Sequence, residues 1–136
     1  MTSIDGERFQ IARDMFAADT ASRSLGIEVV ELGPGHATTR FIVTEAMVNG
    51  HGTTHGGYIF LFADTTFALA CNSHDLRAVA ARADIRFIRP TGLGDVLTAR
   101  AVERIRYGRN GIYDVTVTDQ AMATVAEFRG DSRVVP

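Results

Sequence analysis

The 136-residue chain has no lysine: its fourteen basic residues are all arginines, set against sixteen acids for a net charge of -2. The missing lysine carries no function, but the near-balance and the lack of a long basic run exclude general nucleic-acid binding. Any anionic ligand must be met by local arginines. The single cysteine, Cys71, can form no internal disulfide, which fits a reducing cytoplasm, and its place in an apolar stretch marks a packed thiol rather than a nucleophile. No apolar run reaches the roughly 18 to 20 residues of a membrane span, and Met1 to Gln10 lacks the charged start and apolar core of an export signal. A soluble, unexported protein with no membrane partner is expected. There is no Gly-x-Ser-x-Gly elbow, which argues against a serine hydrolase, and there are no internal repeats or low-complexity segments.

What is present centres on Asn49-Gly-His-Gly-Thr-Thr-His-Gly-Gly57, a polar glycine-rich loop that runs directly into an apolar stretch from Tyr58 to Cys71. A surface helix cannot be apolar around nearly its whole circumference, so this stretch reads as a helix buried on most sides. Asp64 is its only charge. A buried carboxylate costs several kcal/mol unless paired, hydrogen-bonded or neutralised, so Asp64 is either a satisfied core acid or a reactive group. Gly56 and Gly57 fall where the first helical N–H groups lack partners, and without Cβ atoms they let a ligand oxygen approach. That is the geometry of an oxyanion hole at the positive end of a helix dipole, although the glycines could also simply turn the loop.

Elsewhere, Gly6 to Ala18 spaces Phe9, Ala12 and Phe16 as a short amphipathic helix. Ile27 to Leu32 and His36 to Thr44 flank the Gly33-Pro-Gly35 turn as a hairpin. After the polar break Asn72 to Asp75, Val79, Ala81, Ala83, Ile85 and Phe87 alternate with Ala80, Arg82, Asp84 and Arg86, predicting a strand with one face buried. Val96 to Arg106, Ile112 to Asp119 and Ala121 to Arg129 complete the set of strands. The expected architecture is α+β, an antiparallel sheet wrapped around one long central helix. Residues 1–136 form a single domain in this reading, with 1–24 a helical N-terminal extension and 130–136 a loose tail.

Asn49, His55-Gly-Gly57 and Asp64, followed by Phe67-Ala-Leu-Ala-Cys-Asn72, together resemble the hot-dog-fold acyl-CoA thioesterases of the phenylacetate-degradation (PaaI) type. Phe87-Ile-Arg-Pro90, Gly94-Asp95 and Tyr113-Asp-Val-Thr-Val117 look like that family's later strands, so the likeness spans roughly Leu25 to Phe128. The resemblance implies Asp64 as general base or nucleophile and Gly56 as the N–H donor to the thioester oxygen. It also implies Asn49 as a partner positioning water or substrate, and His55 as a residue orienting the loop or stabilising the site. Gly57, Arg89, Pro90, Arg106, Arg109 and Asn110 become candidate substrate contacts, the arginines meeting the phosphates of coenzyme A. Solvated arginines flanking a hairpin are at least as good a reading of each of Arg89, Arg106 and Arg109. Where some relatives place a hydroxyl at the start of the strand after the helix, Ala78 to Ala83 supplies none. The implied substrates are phenylacetyl-CoA and ring-hydroxylated aryl-CoA thioesters, with medium-chain acyl-CoA as an alternative.

Attack on a thioester needs an oxygen nucleophile and an oxyanion donor within about 3 Å of one carbonyl. Asp64 lies eight residues beyond Gly56, about 12 Å along a helix. One copy cannot build the site, so a homodimer with shared active sites, assembling to a homotetramer, is expected. A hot-dog enoyl-CoA hydratase using His55 with Asp64, or a non-catalytic acyl-CoA-binding module, are the rivals. His51 and His55 complete no ligand set, so neither metal nor cofactor is expected.

Overall fold

The computed structural model describes residues 8–136. Two short helices, α1 (Gln10–Ala18) and α2 (Thr20–Ser24), precede the hairpin of β1 (Glu28–Gly33) and β2 (His36–Ile42). A 3-10 turn at Glu45–Met47 leads to the long helix α3 (Gly56–Cys71), and then come β3 (Ala78–Phe87), β4 (Val96–Tyr107), β5 (Asn110–Thr118) and β6 (Thr124–Val134). The six strands form one sheet in the order β1-β2-β4-β5-β6-β3, every neighbouring pair antiparallel. The expected first helix is present from Gln10; its proposed start at Gly6 lies outside the described residues.

Helix α3 packs against all six strands, which is why its sequence is apolar nearly all round. Phe62 stacks on Phe41 of β2 with ring centroids 4.4 Å apart, and Phe67 meets Tyr113 of β5 and Phe128 of β6 at 5.7 and 5.8 Å. Gly130 of β6 is where the Phe67 ring presses on the sheet: a Cβ there would come within 2.8 Å of the ring. Buried hydroxyls fix the helix laterally, with Thr66 Oγ1 2.6 Å from Thr39 Oγ1 of β2 and Thr65 Oγ1 2.7 Å from Ser22 Oγ of α2. At its C-terminus Asn72 donates to Ala68 O and Ala78 O and accepts from Ala78 N, stapling α3 to the start of β3.

Two expectations need correction. Residues 130–136 are not a loose tail, because β6 runs on to Val134 and pairs Gly130 with Ala83, Ser132 with Ala80 and Val134 with Ala78. Nor is one face of β3 buried. Val79 and Phe87 are 48% and 57% exposed, Ala81 is exposed, and only Ala83 and Ile85 are half-covered. The cause is position: β3 is the sheet's outermost strand, bonded to β6 on one side and to nothing on the other among the described residues.

Candidate active site

The loop before α3 is built to present its first turn. Asn49 Oδ1 accepts from His51 N at 2.9 Å and from Thr53 N and Oγ1 at 3.2 Å, so its oxygen is spent closing the loop. Thr54 is locked to Thr91 of the β3–β4 connection by a backbone bond of 2.9 Å and a hydroxyl bond of 2.7 Å. His55 is the N-cap of α3, its Nδ1 accepting from Gly57 N at 2.9 Å, which puts the ring proton on Nε2. Tyr58 N donates to His55 O. Gly56 N–H is thereby left without an acceptor among the described residues, at the positive end of a sixteen-residue helix.

The Phe87 ring lies against Gly56: a Cβ there would be 3.0 Å from Phe87 Cζ. Gly56, Ile59, Phe87, Arg89, Pro90 and Thr91 contribute to a mostly apolar cleft of about 370 Å³. Arg89 and Pro90 thus line the same cleft as Gly56. Arg106, Arg109 and Asn110 do not: they sit around the β4–β5 hairpin, where Arg109 O bonds Val134 N beside the C-terminal end of α3. Met47, Phe62 and Phe67 lie in the core, whereas Tyr58 in the first turn of α3 is partly open. Phe87 and Thr91 were missed as lining residues because they come from the end of β3 and the β3–β4 connection, which only the fold brings to the start of α3 and no local spacing reveals. A larger charged depression of about 1000 Å³ between Arg100, Arg104, Asp114 and Arg129 contains neither Gly56 nor Asp64.

Asp64 is half-buried and accepts no hydrogen bond among the described residues. Burial, and next the negative Asp19, push its pKa upward. It sits on a stripe of α3, Gly57, Leu61, Asp64 and Ala68, that the chain's own sheet leaves partly uncovered. Cys71 is inert by comparison, its thiol buried, donating to Ala68 O and pushed up to about 12.

The model of the thioesterase superfamily matches residues 51–126, more than half the chain, and it includes the loop from His51 onward, α3 and the cleft. The chain belongs to the thioesterase superfamily. Within it, the sequence is 44% identical over 124 residues to the acyl-coenzyme A thioesterase PaaI of Escherichia coli K12, covering 91% of this chain and 89% of the relative. The solved structure of the E. coli PaaI protein from the phenylacetic acid degradation operon superposes with a TM-score of 0.91 at 42% identity, over 94% and 93% of the two chains. A mutant of the phenylacetic acid degradation protein PaaI from Thermus thermophilus gives 0.83 at 36% identity, over 86% and 100%. A Streptococcus mutans protein solved with acetyl CoA gives 0.78 at 28%, over 80% and 88%. The hot-dog fold and the PaaI-type resemblance are both borne out. The chain is a thioester hydrolase of the PaaI type.

Proposed function

We propose that the protein hydrolyses aryl-acyl-CoA thioesters, such as phenylacetyl-CoA or a hydroxyphenylacetyl-CoA, to the free acid and CoA in the cytoplasm. The observation that carries this reading is the unsatisfied Gly56 N–H at the N-terminus of α3, set in an apolar cleft. The thioester oxygen takes the negative charge of the tetrahedral intermediate against that N–H. The Asp64 carboxylate either removes a proton from the attacking water or attacks the carbonyl itself, giving an anhydride that water opens. In either route the C–S bond breaks as the tetrahedral intermediate collapses, in the second before water opens the anhydride, and the departing CoA sulfur takes up a proton. His55 keeps the N-terminal turn in shape, Asn49 orders the loop and Gly57 lets the thioester in. Arg89 and Pro90 meet the coenzyme from the same chain. Arg106, Arg109 and Asn110 would serve from a second copy.

A second copy is required because Gly56 and Asp64 stand about 12 Å apart on one helix. Two features support a homodimer in which α3 of each copy runs antiparallel to the other. The stripe carrying Asp64 is open, and β3 offers a ten-residue unpaired edge with apolar side chains exposed. Pairing of these edges would set Gly56 of one copy against Asp64 of its twin and give two equivalent sites, with a homotetramer as the further assembly. That relatives bear the names acyl-CoA thioesterase and phenylacetic acid degradation protein, and that one was solved with acetyl CoA, supports the substrate class.

The test is a thiol-release screen across aryl and linear acyl-CoA thioesters with wild-type protein and Asp64→Asn. Preferential release from aryl thioesters, abolished by a variant that melts like wild type or above it, is expected. Turnover that survives Asp64→Asn would remove that carboxylate from the mechanism, and a preference for linear chains would move the substrate class.

A further inference from the structure

The N-terminal extension does more than cover the core. Asp19, at the corner between α1 and α2, caps α2 by accepting from Ser22 N at 3.0 Å through Oδ1, and its Oδ2 takes the Ser22 hydroxyl at 2.6 Å. The same Ser22 Oγ, on a residue only 1% exposed, lies 2.7 Å from Thr65 Oγ1. Thr65 adjoins Asp64 on α3. A half-buried carboxylate from one element is therefore tied by a single buried hydroxyl to the helical turn that carries the reacting one.

We propose that Asp19, fixed through Ser22 to Thr65, is a positioning residue for Asp64, holding the turn of α3 and the charge environment in which that carboxylate works. This rests on the role assigned to Asp64 above. Its physical content is twofold. The bridge removes rotational slack from the turn, which matters because the reacting oxygen must stand about 3 Å from the carbonyl carbon. A fixed negative neighbour also resists the ionisation of Asp64, adding to the effect of burial in raising its proton affinity toward the working range of a base. Among the described residues, the titratable groups that face Asp64 are Asp19, from the α1–α2 corner, and Cys71, two turns along α3 itself. Glu103 and Tyr113, on the strands packed against α3, are bonded to one another, and Glu103 also to His74, beyond the helix's C-terminus.

The experiment compares pH profiles of kcat/KM, and kcat and KM separately, for wild type, Asp19→Asn, Ser22→Ala and Asp64→Asn, with thermal melts alongside. Asparagine keeps the oxygen that caps α2 and loses the charge. Asp19→Asn should move the acid limb to lower pH, because the like charge that opposes ionisation of Asp64 is gone. Ser22→Ala should lower kcat several-fold with KM nearly unchanged. A folded Asp19→Asn with an unmoved acid limb, or a folded Ser22→Ala with wild-type kcat, overturns the proposal while inactive Asp64→Asn leaves the function intact. Should Asp19→Asn fail to fold, the kcat against KM split of Ser22→Ala decides. Near-normal hydrolysis by Asp64→Asn would instead overturn the reading of the site, and this inference with it.

Discussion

The roles proposed for Asp64 and Gly56 can each be separated from the residue's effect on stability. The folded protein raises the Asp64 pKa, so the fold binds that proton more tightly than the unfolded chain does. A raised pKa gives stability that is full below the unfolded value of about 3.9 and is lost as pH rises through the folded one. Asp64→Asn should therefore melt above wild type near neutral pH, with the gap closing toward about pH 3, while thiol release is lost. At Gly56 an alanine Cβ would stand 3.0 Å from Phe87 Cζ. That ring is 57% exposed and can give by a few tenths of an ångström, so Gly56→Ala should leave the melting temperature within a few degrees of wild type. Turnover should fall by roughly tenfold or more if Gly56 N–H is the oxyanion donor, because the methyl group and the displaced ring crowd it. Asp64 was legible in the sequence because a lone charge in an apolar helix demands an explanation. Asp19 was not, since its connection to Asp64 runs through Ser22 and a packing of helices that no spacing encodes.

Among the elements, α3 depends on its ends as much as on its apolar sides. Asn72 is 1% exposed and satisfies Ala68 O, Ala78 O and Ala78 N at once. Asn72→Ala strands buried backbone groups and should cost about 2 to 3 kcal/mol in a denaturant melt, well above a surface change. The helix itself was readable from its composition, and the strands from alternation and turn residues. What alternation could not tell is whether a given face of β3 is covered by its own chain, because an edge strand and a central strand can carry the same pattern. The end of β6 was misread for a related reason. Gly130-Asp-Ser looks like a chain break locally, yet the glycine is required there by the Phe67 ring, and the ladder to β3 overrides the local preference.

For the whole molecule, the open stripe on α3, the bare edge of β3 and the spacing of Gly56 from Asp64 make one joint prediction. Consider co-expressed, separately tagged subunits, one carrying Asp64→Ala and the other Gly56→Val, purified as the mixed species. If each site takes Gly56 from one copy and Asp64 from the other, the mixed dimer has one site with both groups intact and one with both lost. It should recover about half the wild-type turnover per dimer, although each variant alone is inactive. If each site were built within one chain, both sites would carry a defect and the mixed species would be as inactive as its parents. A charge in the seam gives the matching structural readout. Leu61→Arg lies on the half-open stripe next to Asp64, so it should leave the chain folded but shift sedimentation toward the monomer, with thiol release falling in proportion to the dimer lost. Retained turnover in a folded Leu61→Arg monomer would place the whole reaction within a single chain.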